Sequence, residues 1–130
     1  MPFEFLAHLE RERYQHIPKD PPLEDLFQFG QLSESDLQLI RQQRQPANRL
    51  GFGVQLTLIR WLHFLPEHWW KEVPYAWVDQ IGAQLDIDSI FFVQYGYREE
   101  TIYEHFRIIL VHLKKEGGNH RMPPGFSIGC

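Results

Sequence analysis

The sequence has a single cysteine, Cys130, and it is the last residue. A disulfide within the chain and a zinc site built on paired cysteines are thereby excluded, and a reducing compartment suits that usage. Long apolar runs are missing too. The most apolar-rich stretch, residues 54–65, is broken by Gln55, Thr57, Arg60 and His63. It falls short of the roughly 18 apolar residues that mark a membrane span. The opening residues, MPFEFLAHLERERYQ, lack a basic leader and put Glu4, His8 and Glu10 where the apolar part of a signal peptide would be. The expectation is a soluble intracellular protein with no membrane partner.

Catalytic signatures are also absent. The seven histidines, at 8, 16, 63, 68, 105, 112 and 120, show no HExxH pair and no metal spacing. Gly51-Phe52-Gly53 lacks the Gly and Lys of a phosphate loop, and there is no nucleophile elbow. Glu99 and Glu100 are neighbours and point apart on a helix, so they make no acid–base pair. Neither an enzyme activity nor a metal or cofactor is expected. The last absence is local: from Leu37 to Pro66 there is no Asp or Glu, although the chain carries a net charge of −4. The same window holds Arg41, Arg44, Arg49 and Arg60. One end of the fold is expected to be basic on an acidic body.

What is present is material for a core. A hydrophobic content of 43% and an aromatic content of 15% over 130 residues suit one domain, not a disordered chain. The pattern predicts an all-α, compact bundle of five to seven short helices. Residues 3–14 read as a helix with Phe5, Leu6, Leu9 and Arg13 on one side, stopped by the prolines of IPKDPP (17–22). LEDLFQF follows and ends at Gly30. Ser33 or Ser35 then caps a helix to about Gln45, which Pro46 ends. Asn48 can cap a helix over 49–65 whose apolar residues cover most of its circumference, as in the middle of a bundle. Gly51 and Gly53 inside it suggest close approach of another backbone. PEHWWKEVP (66–74) is a loop. A helix follows over 75–85 with Trp77, Val78, Ile81 and Leu85 inward. Asp86 or Asp88 caps a short helix ending at Gly96, and the last helix spans 98–113. EGGNHRMPPGFSIGC (116–130) has no periodicity and reads as a loose tail.

Tryptophans 61, 69, 70 and 77 lie close together in sequence. They read as core (Trp61, Trp77) and a lid over it (Trp69, Trp70). The alternative is an aromatic surface for bases or a partner protein. The arginines also have two readings. Glu34 and Asp36 in a first turn, with Arg41 and Arg44 in the last, complement a helix dipole. Arg49, at the start of the next helix, opposes its dipole, and an anion there would be welcome. Gln42, Gln43 and Gln45 are of a type that reads base edges. From the residues alone, DNA binding and a structural or protein-contact role both stand.

LSESDLQLIRQQRQPANRLGFGVQLTLIR (32–60) resembles the N-terminal region of Tn-three family transposases, the large replicative bacterial transposases. The matching positions are Asp36, Leu39, Ile40, Arg41, Arg44, Asn48, Arg49, Leu50, Gly51, Phe52, Gln55, Leu56 and Arg60. ERERY (10–14), QLDID (84–88), QYGYREET (94–101) and EH (104–105) follow the same order, so the resemblance covers about residues 3–112. It implies a helical DNA-binding domain, residues 1–114, that recognises terminal inverted repeats in the bacterial cytoplasm, with other transposase segments as further partners. The DNA contacts it suggests, together with the residue reading, are Arg41, Gln42, Arg44, Gln45, Asn48, Arg49, Arg60, Arg98 and His105. Arg60 has the alternative of facing the core and pairing with an acid. The family's magnesium-holding acids lie far downstream, so no Asp or Glu here inherits that role. Two departures stand out: Gly53 where the family often has Ala, and Ile102 near a usual basic residue. After Leu113 the pattern is lost, and residues 115–130 read as a non-family tail, as in a truncated gene product. A free-standing regulator occupying transposon ends is the alternative.

Overall fold

The computed structural model describes residues 16–116. The expected helix over 3–14 and the tail beyond 116 lie outside them. Among the described residues there are six α-helices and no strand. They are α1 (Leu23–Phe29), α2 (Glu34–Arg41), α3 (Pro46–Leu62), α4 (Tyr75–Leu85), α5 (Phe92–Tyr95) and α6 (Glu99–Glu116). Short 3-10 turns at Trp69–Lys71 and Ser89–Phe91 precede α4 and α5. None of these helices is long and apolar enough to cross a membrane.

The fold is organised around α3, in which every residue from Leu50 to Ile59 is buried. Two stripes run along it. Leu50, Val54 and Leu58 pack with Trp77, Val78 and Ile81 of α4, Tyr95 of α5 and Ile102 of α6. Phe52, Leu56 and Ile59 pack with Ile40 of α2 and with Ile109 and Leu113 of α6. A helix apolar on both sides belongs between neighbours, and here it is sandwiched. Its two buried polar side chains are satisfied. The Thr57 hydroxyl turns back to the Gly53 carbonyl (2.8 Å) and accepts the Trp77 indole N–H (2.9 Å). Gln55 donates to the Tyr95 hydroxyl (3.1 Å) and the Ile102 carbonyl (3.3 Å).

Gly51 does admit a close neighbour, but it is a ring and not a backbone. A Cβ at Gly51 would lie 2.2 Å from the Tyr95 ring, and one at Gly53 would lie 2.8 Å from the Ile81 side chain. The tryptophans follow the core reading. Trp77 and Trp69 are buried, and Trp61, half-buried, stacks on Trp77 with ring centroids 4.5 Å apart.

Several helix boundaries differ from the sequence reading. α2 stops at Arg41, and α3 starts at Pro46 instead of Arg49. Gln45, the residue before proline, is extended (φ −110°, ψ 149°), as steric conflict with the proline ring requires. Pro46 then supplies a φ already suited to a first helical turn, so it opens α3 instead of closing α2. Asn48 therefore lies inside the first turn and caps nothing. Of the two capping registers at α2, Ser33 with Asp36 forms the reciprocal box. α3 ends at Leu62, with His63 left-handed at φ 60°. α6 runs to Glu116, the last described residue and three past the expected end, and that side chain is held by an ion pair described below.

Candidate nucleic-acid interface

The four-residue link Gln42–Gln45 turns the chain from α2 into α3. Its backbone closes on the end of α2: the Gln42 N–H donates to the Leu39 carbonyl (3.2 Å) and the Gln43 N–H to that of Ile40 (2.9 Å). Side chains in the link point in different directions. Gln42, Arg44 and Gln45 are exposed, while Gln43 is half-buried and turned inward. Arg41 is also exposed and pairs loosely with Glu34 at 3.6 Å. Among the described residues no acid pairs with Arg44.

Arg49 resolves differently from the dipole argument. Its Nε donates to the Gln43 carbonyl (2.6 Å), and an Nη group lies 3.4 Å from the Arg41 carbonyl. These carbonyls close α2, where the dipole is negative and acceptors lack helical partners. So the cation that opposes the dipole of α3 serves the end of α2. Arg44 cannot take the last-turn role assigned to it, because α2 has already ended.

A second segment joins this corner. Arg98, between α5 and α6, donates to the Gln45 and Asn48 side chains, the latter at 3.2 Å. Tyr97 beside it is 85% exposed. Tyr97 was not singled out from the sequence; the only local signal was its place in QYGYREET. Glu99 follows on α6 and lies 3.8 Å from His68. Arg41, Gln42, Arg44, Gln45, Asn48, Arg49 and Arg98 are therefore gathered around one corner.

Arg60 and His105 are not surface members of it. Arg60 is 19% exposed and makes two 2.6 Å bonds to Asp36, which is fully buried, and two more to Glu116 (2.8 and 2.9 Å). The core-facing alternative describes its surroundings. Burial would push the Asp36 carboxyl up; Arg60, the Ser33 N–H and His112 outweigh it and hold the carboxyl below its ordinary value. Burial likewise acts to lower the Arg60 value, but Asp36 and Glu116 raise it. His112 adds contacts to Asp36 (2.8 Å) and Glu116 (3.4 Å). One ligand atom each from Asp36, His112 and Glu116 lies within 4.8 Å of the others, close enough to share an ion. The guanidinium already bridging both carboxylates would repel a second cation there. His105 is only 3% exposed. Its Nδ1 meets the Tyr95 hydroxyl at 2.8 Å and its Nε2 meets Gln43 Oε1 at 3.1 Å. Burial lowers its pKa to about 4.

Apart from the corner, an apolar groove of about 500 Å³ is lined by Trp70, Val73, Tyr75, Ile90, Val93 and Tyr97.

Fold and site define an all-helical domain with a cationic, amide-rich corner built on a two-helix turn. Residues 5–116 match the family described as Domain of unknown function (DUF4158), and the chain belongs to that family. It is similar to Tn-three family transposases. The transposase for transposon Tn2501 of Escherichia coli is 35% identical over 112 residues, covering 85% of this chain and 11% of that protein. The transposase for transposon Tn501 of Pseudomonas aeruginosa is 35% identical over 109 residues, 84% of this chain and 11% of that protein. The transposase for transposon Tn1546 of Enterococcus faecium is 29% identical over 106 residues, 82% and 10%. The chain thus spans about a tenth of the length of these curated relatives. No solved structure matches it.

Proposed function

We propose that this domain binds duplex DNA at transposon ends, and that the α2–α3 corner is its contact surface. The observation that carries the reading is the gathering of Arg41, Arg44, Arg49 and Arg98 with Gln42, Gln45 and Asn48 at one corner of an acidic domain. Arginines neutralise phosphates, and amide side chains can read adenine edges. Helix pairs joined by such a short turn are a common way of presenting these groups to a groove. At the corner only the first turn of α3 is accessible, since the helix is buried from Leu50 to Ile59, so the contact is made end-on and by the turn. The relatives' names, transposases for particular transposons, supply the kind of DNA. Arg60 and His105 leave the contact set, since their polar groups are committed inside. No step of DNA cleavage or joining is assigned to this stretch.

The test is binding to a terminal inverted-repeat duplex and to a scrambled duplex across a salt series. The repeat should bind more tightly, with an affinity that falls steeply with salt. Replacing Arg41 and Arg44 together by Ala should lower the salt slope by about 2. Unchanged binding and slope in a folded double variant would overturn the reading. A protein-contact role is favoured by a different observation, the exposed apolar groove around Tyr75, Ile90 and Tyr97. That reading predicts that the double variant leaves binding behaviour untouched.

A further inference from the structure

A chain of hydrogen bonds runs from the middle of α3 to the turn at the corner, and the Ile102 and Leu39 carbonyls at its ends orient the two glutamine amides. The Gln55 amide donates to both the Tyr95 hydroxyl and the Ile102 carbonyl. The Tyr95 oxygen is therefore an acceptor from Gln55, and in the tautomer proposed below its own proton goes to His105 Nδ1 at 2.8 Å. An accepting Nδ1 leaves the ring proton on Nε2, which donates to Gln43 Oε1 at 3.1 Å. The Gln43 amide then donates to the Leu39 carbonyl at 3.3 Å, in the last turn of α2. The Gln43 backbone carbonyl, in turn, accepts the Nε of Arg49 at 2.6 Å.

The ring itself has little freedom. Tyr95 stacks on it at 5.6 Å with an interplanar angle of 18°, and Phe52 meets it edge-on at 4.9 Å. With Gln43 tied inward, its neighbours Gln42 and Arg44 face solvent on either side. A free Gln43 would leave the turn without its side-chain link to the buried His105.

We propose that His105, as the neutral Nε2–H tautomer, is a positioning residue: through Gln43 it fixes the α2–α3 turn in the conformation that discriminates one DNA sequence from another. The proposal rests on the DNA-binding reading above. Burial of the ring keeps it uncharged at neutral pH, which the relay requires. An imidazolium would present a donor at Nδ1 to a hydroxyl already accepting from Gln55, and the tyrosine proton would lose its acceptor.

The experiment compares two amide substitutions. In His105→Gln the side-chain amide can still donate near the Nε2 position, toward Gln43. In His105→Asn the carbonyl can still accept from Tyr95, but the donor to Gln43 is gone. Binding is measured to an inverted-repeat duplex and to a scrambled one over a salt series. His105→Asn should lower the preference for the repeat about tenfold, as for loss of one base-reading contact. Its affinity for the scrambled duplex and its salt slope should stay at the parent's values. His105→Gln should keep the preference within about twofold. A purely structural role would move both variants with their stability and would not separate Asn from Gln; equal loss, or no loss in either, overturns the proposal. If the Asn variant does not fold, Gln43→Leu at the half-exposed turn must reproduce the loss, and a retained preference there is equally fatal. In the parent protein, nitrogen-15 NMR must show His105 as the Nε2–H tautomer; the Nδ1–H form overturns the relay. A parent chain with no preference for the repeat would defeat the DNA reading itself. A parent that discriminates, with variants that discriminate equally, would defeat only the positioning role.

Discussion

Arg49 and Arg60 stand on one helix, eleven residues and roughly 16 Å of helix axis apart, and meet opposite surroundings. Arg60 is enclosed by two carboxylates and a histidine, so its charge is spent within the fold. Among the described residues Arg49 has only backbone carbonyls as partners, and it keeps its charge unneutralised beside Arg41, Arg44 and Arg98. Both lie in the same acid-free stretch of sequence. The difference comes from Asp36 and Glu116, which are 24 residues before Arg60 and 56 after it. An acid-free window therefore describes a segment, and only folding decides which of its cations remain available to a ligand.

The largest expected effect breaks the neutralised end. Arg60→Ala strands the fully buried Asp36 carboxylate and releases Glu116. It should cost about 3–5 kcal/mol in urea unfolding at neutral pH. In any fraction that stays folded, the salt slope of DNA binding should not change. A loss under about 1 kcal/mol would mean the clasp is no stronger than a surface ion pair, and the contrast between the two ends would fail.

Acid separates the two ends by pH. His105 has a folded value lowered from 6.5 to about 4. Between those values the unfolded chain binds a proton that the folded chain refuses, so stability falls as pH drops from 6.5 to 4. The loss amounts to about 3 kcal/mol. His63, also lowered by burial, adds in the same direction. Asp36 acts lower: its folded value is depressed, so its contribution is present above the ordinary 3.8 and is lost as pH falls below it. Urea unfolding from pH 7 to 3 should show the first decline flattened in His105→Gln and the second retained. A parent curve flat between pH 6.5 and 4 would contradict the buried neutral histidine.

A smaller effect tests the packing between the ends. Gly51→Ala places a methyl 2.2 Å from the Tyr95 ring. The ring must move, at a cost of about 1–3 kcal/mol, and with it the hydroxyl that meets His105. The thermal midpoint should fall, and the His105 ring resonances should shift even though the substitution touches neither the histidine nor Gln43.

The helices were legible because their signals are local. The stripe 50, 54, 58 and the stripe 52, 56, 59 show a helix buried on both sides, and each packs into its own apolar cluster, one on either side of α3. Ser33 with Asp36 signalled a cap, although Ser35 offered an equal alternative. The ends were less legible. Pro46 can close one helix or open another; the sequence reading gave it the first role, and the structure gives it the second. The corner was legible in part. The Arg-rich lead to NRLGF drew attention to the right turn, but Arg98 joins Gln45 and Asn48 across 53 and 50 residues, which no periodicity reports. Gln43 looked like its neighbours Gln42 and Gln45. Its inward role depends on a histidine 62 positions away.

The smallest expected change in stability concerns Arg44, and it separates holding the corner together from contacting a ligand. Arg49 does two things: it bonds the carbonyls that end α2 and it carries charge. Its replacement by Ala should cost about 1–2 kcal/mol of stability and lower the salt slope of DNA binding by about 1. Arg44 is exposed and has no ion-pair partner among the described residues. Arg44→Ala should therefore leave stability within about 0.5 kcal/mol while lowering the salt slope by the same amount of about 1. Urea unfolding and a salt titration on one preparation of each variant measure both quantities. Equal slopes with unequal stabilities would show that charge at the corner acts independently of the bonds that build it. An Arg44→Ala variant with the parent's slope would remove Arg44 from the contact surface, leaving Arg41, Arg49 and Arg98 to carry it.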